Sequence, residues 1–206
     1  MNTSPWKIIA NINCYINPFR ENNTRSNITD SDVIKLRSNI RNQLELLRNI
    51  ITEQYSEHDA YYVIFPLTVH CDELVKKIVI DNKELDWFSL QDELYKVDGG
   101  GDLFYEMLDS LLTKKETLPL VYQVYLFCLN DGFCGRYTTN PERIGDYIKE
   151  LHNHINLSPV TDTVLSPTVQ VGAWNYYRKF SGFYYLSVSL ILVLYYLLLT
   201  NLASNW

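Results

Sequence analysis

The sequence lacks any C-x-x-C pair. Its four cysteines, Cys14, Cys71, Cys128 and Cys134, are scattered, and no spacing among them fits a zinc knuckle or a redox couple. Three of them lie in apolar surroundings, where a reduced cysteine acts as a small hydrophobe, so the expected compartment is the cytoplasm. An excess of basic charge is lacking too. The formal net charge is −6, and residues 56–115 hold six Lys/Arg against thirteen Asp/Glu. That balance speaks against nucleic acid, because phosphate contacts need a basic face. It is compatible with a basic protein partner and equally with a solvated acidic face. No stretch alternates apolar and polar residues for long, which argues against a sheet. Internal repeats and low-complexity tracts are missing. Residues 1–15, MNTSPWKIIANINCY, hold Lys7 and several Asn but no uninterrupted apolar core, so they do not read as a signal peptide.

Charge disappears altogether from residues 181–206. Within them, SGFYYLSVSLILVLYYLLLTNLA (181–203) runs for 23 residues without charge or proline. As a helix it would be about 34 Å long, enough for a bilayer core of about 30 Å. Arg178 and Lys179 stand immediately before it, so the positive-inside rule puts the N-terminal part in the cytoplasm. Tyr176, Tyr177, Tyr184 and Tyr185 at one end and Trp206 at the other suit the two interfacial belts. The expectation is a tail anchor in the lipid bilayer, with residues 204–206 as a short periplasmic end and no distal enzyme or wall-binding domain. Residues 158–180 contain SPVTDTVLSPTVQVG, with two prolines and no helical period, and read as an extended tether.

Between these ends the pattern is helical. Val33, Leu36, Ile40, Leu44, Leu47 and Ile51 recur at intervals of three and four over residues 30–55, and Thr29 with Asp32 resembles a capping box. A second helix is expected over 57–80, kinked or split at Pro66. Shorter ones follow at 88–95, 102–113 and 118–130. A last one opens NPERIG, with Asn140 as cap, Pro141 at the first helical position and Glu142 at the positive end. The predicted fold is all-α, with six or seven helices: residues 1–29 a polar N-terminal segment, 30–157 a cytoplasmic helical domain.

Three stretches invite chemistry. HCDEL (70–74) offers His70, Cys71, Asp72 and Glu73, but neighbours one and two apart on a helix face different ways and cannot converge on one ion. Asp72 and Glu73 therefore read as capping, ion-pairing or partner contacts. His152 and His154 lack a third ligand at suitable spacing. VDGGGDLF (97–104) places three glycines before a helix, yet Asp98 and Asp102 flank them and no Lys-Ser/Thr follows, so a sharp loop fits better than a phosphate cradle. LNDGFCGRY (129–137) puts Gly132 where an apolar helix should end and Gly135 at a second unusual turn, with Phe133 and Tyr137 as packing side chains. No catalytic residue, cofactor or metal is expected.

Taken in order, these elements resemble the DotU/IcmH family, called TssL in type VI secretion systems. That family has an Asp-Glu pair on a helix, a Trp about a dozen residues later, a Gly-Gly-acid-x-Phe-Phe/Tyr loop and a G-F-x-G-K/R-Y stretch. Here they are Asp72-Glu73, Trp87, Gly100-Gly101-Asp102-Leu103-Phe104-Tyr105 and Gly132-Phe133-Cys134-Gly135-Arg136-Tyr137. The resemblance covers roughly residues 30–203. It implies a cytoplasmic hook of two packed helical bundles on the inner membrane of a Gram-negative bacterium. The implied role is a scaffold that pairs with the IcmF/TssM-type protein and helps dock baseplate components, with self-association as a further contact. This chain departs from the family pattern in having Asp102 where Glu is usual, and His70 and Cys71 in place of small apolar residues. A generic tail-anchored adaptor, or a tethered enzyme using residues 70–73, is the alternative.

Overall fold

The computed structural model describes residues 4–21, 28–80, 85–114 and 117–157. Among them are seven α-helices and no strand. They are α1 (Pro5–Glu21), α2 (Asp30–Gln54), α3 (Glu57–Ile80), α4 (Leu90–Tyr95), α5 (Gly100–Thr113), α6 (Pro119–Asn130) and α7 (Pro141–Leu157), with a 3-10 turn at Gly135–Tyr137. The tether at 158–180, the apolar stretch 181–203, Arg178, Lys179 and the end 204–206 lie outside the described residues. Among the described residues no helix is long and apolar enough to cross a membrane.

α2 forms as its pattern dictates. All six periodic apolar positions are buried. The box at its start is closed: the Asp32 amide donates to Thr29 Oγ1 at 3.3 Å, and the Thr29 amide to Asp32 Oδ2 at 3.1 Å. At the other end of the domain, the Arg143 amide donates to Asn140 Oδ1 at 3.3 Å, so Asn140 caps α7 as expected.

α3 is the axis of the fold. It packs on α1 and α2 and also on α4, α5 and α6. Buried residues from Ala60 to Val79 lie around its circumference, as a helix covered on every side requires. The helix expected to kink or split at Pro66 is not split there and runs on as one element. The ring removes one intrahelical donor, and tertiary packing on both flanks holds the turn together.

The N-terminal segment is not polar throughout. α1 buries Ile8, Ile9, Ile12 and Ile16, each at most 2% exposed, against α2 and α3. Asn11, Asn13, Asn17 and Pro18 dilute the apolar pattern, because asparagine is a poor interior helix former and proline ends a donor ladder. The four isoleucines nevertheless share one helical face. α4 starts at Leu90, two residues later than expected, and α5 at Gly100, two earlier. Of the cysteines only Cys71 and Cys128 are buried; Cys14 is exposed and Cys134 half-buried. The buried isoleucines of α1 lie on the face away from Cys14. One contiguous hydrophobic core joins all seven helices.

Candidate functional site

Asp72 and Glu73 are consecutive on α3, so their side chains leave the helix about 100° apart and meet different elements. Asp72 is 1% exposed. Its Oδ1 accepts from Trp87 Nε1 at 2.8 Å and the Leu90 amide at 2.9 Å. Its Oδ2 accepts from Ser89 Oγ at 2.9 Å and the Gln91 amide at 2.8 Å. Leu90 and Gln91 open α4, whose own cap residue Ser89 makes no side-chain capping bond. Asp72 is therefore the cap of α4, supplied from another helix, with its charge at the positive end of that helix. Four donors on two oxygens leave this carboxylate essentially saturated.

Glu73 does the same for a second loop. Its Oε1 accepts from the Cys134 amide at 3.0 Å and its Oε2 from the Gly135 amide at 2.8 Å. Lys77, one turn on, donates to Oε1 at 2.6 Å. The loop it holds begins as a Schellman ending of α6: the Phe133 amide donates to the Cys128 carbonyl at 3.0 Å and the Gly132 amide to the Leu129 carbonyl at 3.2 Å. Gly132 has φ +95° and Gly135 φ +49°, both in the region that favours glycine.

Gly135 lies directly on the start of α5. A Cβ on Gly101 would stand 3.0 Å from Gly135 Cα, and a Cβ on Gly135 would stand 3.0 Å from the Gly101 carbonyl oxygen and 3.1 Å from the Phe133 ring. The two backbones touch, which is why both positions are glycine. Gly100 is closed by Gln91 Oε1, 1.8 Å from the site of its missing Cβ. Asp102 is exposed in the first turn of α5, where a negative charge is favourable. Phe104 and Tyr105 are fully buried beneath, with Phe133 4.2 Å from Phe104 and Tyr137 4.6 Å from Tyr105, centroid to centroid. The Tyr105 hydroxyl donates to the Cys134 carbonyl at 3.1 Å, and burial pushes its pKa up. Arg136 spreads over the Tyr105 and Tyr137 rings at 5.4 and 5.1 Å and reaches Asp109 at 3.5 Å.

His70, Cys71, Asp72 and Glu73 thus serve four separate surroundings. His70, 1% exposed, places Nε2 2.9 Å from Asp131 Oδ2. Its Nδ1 has no hydrogen-bond partner. Cys71 is buried, and desolvation pushes its thiol far up, away from reactivity. Among the described residues no group of His, Cys, Asp and Glu could hold a metal ion.

Reading the sequence missed Arg20 and Asp131. Arg20 donates to both oxygens of Asp131, at 3.2 and 3.0 Å, tying the end of α1 to the cap of α6. Burial opposes ionisation of Asp131, but the hydrogen bonds from His70 and Arg20 outweigh it and hold the carboxyl below its usual range. One signal was available: an acid at the negative end of an apolar helix is unfavourable unless a cation answers it. Nothing local pointed to Arg20.

The family model described as "Type VI secretion system protein DotU" matches residues 20–206. The chain belongs to the DotU family. Among solved structures, DotU from Francisella novicida is similar at 27% identity and a TM-score of 0.69, over 74% of this chain and 99% of that one. No curated protein matches the chain. Membership makes it a component of a type VI secretion system. The family match also takes in the uncharged stretch 181–203.

Proposed function

We propose that this DotU protein is a non-enzymatic scaffold of the bacterial inner membrane, spanning it once at 181–203 with the helical domain in the cytoplasm. In this reading the domain is a hook of two small bundles sharing α3. It pairs with an IcmF/TssM-type protein and helps dock the baseplate. The observation that supports the reading is the family match running from residue 20 through the apolar stretch 181–203, so that this stretch and the helical domain fall in one family unit.

The site chemistry supports a scaffold. Asp72 and Glu73, the pair that would attract a catalytic reading, spend their oxygens on backbone amides and neighbouring side chains. They fix the loops around Trp87 and Gly135 and thereby the surface that a partner meets. The anchor confines the domain to the membrane plane, raising the concentration at which it meets a membrane-bound partner. Ser187, Ser189, Thr200 and Asn201 offer hydrogen bonds to a partner span, each worth about 1 kcal/mol.

Crosslinking mass spectrometry on the detergent-solubilised native complex tests this, comparing the full chain with one truncated after Gly172. The expected result is crosslinks to a large IcmF-type protein that diminish on truncation. Recovery of the full chain alone, or with unrelated proteins only, would overturn the reading.

A further inference from the structure

Phe88 is the most exposed large apolar side chain among the described residues, at 75%. Its backbone is held from both sides. Trp87 before it and Ser89 after it both donate to Asp72, as do the next two amides. Its own carbonyl accepts from Arg37 Nε of α2 at 2.8 Å, and Arg37 also pairs with Glu93 of α4. An aromatic ring left in water on a loose loop would be unremarkable. A ring left in water on a loop fastened by five hydrogen bonds is preorganised, which removes an ordering cost from association. Exposed, rigidly presented aromatics are the usual anchors of protein interfaces.

The surroundings indicate what the ring meets. Ile34, 64% exposed, lies one turn before Arg37 on α2 and adds a second apolar group on the side that Arg37 bridges to Phe88. Asp86 and Asp92 flank the ring in sequence, both exposed and without an ion-pair partner among the described residues. The cations nearby, Arg37 and Arg41, both pair with Glu93, so with Asp86 and Asp92 three acids face two arginines. An anionic membrane surface would repel such a patch. A protein surface with an apolar pocket and a basic rim would be drawn to it.

We propose that Phe88 is the anchor of a docking surface for a protein subunit of that chemistry, with Ile34 extending the apolar contact and Asp86 and Asp92 matching the basic rim. Asp72 acts as the positioning residue, since it sets the loop that carries the ring. The proposal rests on the scaffold reading and names a surface through which the scaffold engages one component.

The test uses the full chain in cells that carry the secretion system. A photo-crosslinking phenylalanine analogue replaces Phe88, and the products are identified by mass spectrometry. In parallel, complexes of wild type, Phe88→Ala, Phe88→Trp and the pair Asp86→Lys with Asp92→Lys are solubilised and quantified component by component. The expected result is a crosslink to one protein subunit through a Lys/Arg-rich peptide. Recovery of that subunit falls about tenfold or more in Phe88→Ala and in the lysine pair, and is kept in Phe88→Trp. Melting temperature and the other components stay unchanged. A crosslink only to a second copy or to lipid, no crosslink at all, or unchanged recovery in Phe88→Ala overturns the proposal while leaving the scaffold reading intact. If wild type recovers no secretion component, the scaffold reading falls and this surface with it.

Discussion

At the scale of single residues, the two acids and the glycines that the sequence singled out are satisfied inside the molecule. Asp72 is the extreme case, since its removal strands two buried helix-start amides and takes the acceptor from a half-buried indole N–H and hydroxyl. Asp72→Ala is expected to cost about 3 kcal/mol or more, lowering the melting temperature of the full chain in mild detergent by roughly 6–12 °C. Asp72→Asn should cost less, because an amide oxygen still accepts. A loss of 1 °C or less in the alanine variant would show that water replaces the carboxylate, and the capping account would fail. The two left-handed glycines separate in the same assay. Gly132 has nothing within 4 Å of its missing Cβ, so alanine there meets only the backbone penalty, of about 1–2 kcal/mol. Gly135→Ala adds a collision with the Gly101 carbonyl and the Phe133 ring and must be the more damaging of the two. Equal effects would mean that the α5 contact yields easily.

At the scale of elements, one dipeptide on α3 controls two loops that are otherwise far apart in sequence. Amide exchange reads the loops separately. Glu73→Gln is expected to speed exchange at Cys134 and Gly135 and leave Leu90 and Gln91 unchanged, while Asp72→Asn does the reverse. If either variant loosened both loops, they would form one cooperative unit and the two carboxylates would not act independently. This division also explains what the sequence made legible. α2 and α7 were plain because their caps, Thr29 with Asp32 and Asn140, lie within the helix's own neighbourhood and their apolar periods are clean. The start of α4 was misplaced because its cap is Asp72, 18 residues away from Leu90, and no local rule reveals a cap borrowed from another helix. α5 begins inside the glycine run because Gly100 and Gly101 pack too closely against Gln91 and Gly135 for any side chain, a tertiary cause invisible in a glycine-rich string. α1 failed for the opposite reason. Its four isoleucines carried a helical signal, but asparagines and Pro18 obscured it, and burial against α2 and α3 overrides their poor propensity.

At the scale of the whole molecule, the end of the first helix and the end of the sixth are brought together by the contact that sequence reading missed. Arg20 and Asp131 are 111 positions apart, and with His70 they join α1, α3 and the end of α6. Because the Asp131 carboxyl is held below its usual range in the fold, this contact contributes stability that is fully present above the ordinary Asp value of about 3.9. That contribution is lost as pH falls through the ordinary value and then the lowered one. Other carboxylates, Glu57 and Asp32 among them, are lowered as well, so acid sensitivity of the wild type alone would not identify the source. The difference between wild type and Asp131→Asn does. Followed by urea unfolding of the full chain in detergent, the wild type is expected to be the more stable at pH 5, with the margin shrinking below about pH 4. A margin that is flat with pH would mean the partners act only as neutral hydrogen bonders and exert no net pull on the proton. A margin that grew as pH fell below about 5 would mean Asp131 holds its proton more tightly in the fold than out of it, reversing the role assigned to Arg20 as the cation that fastens α1.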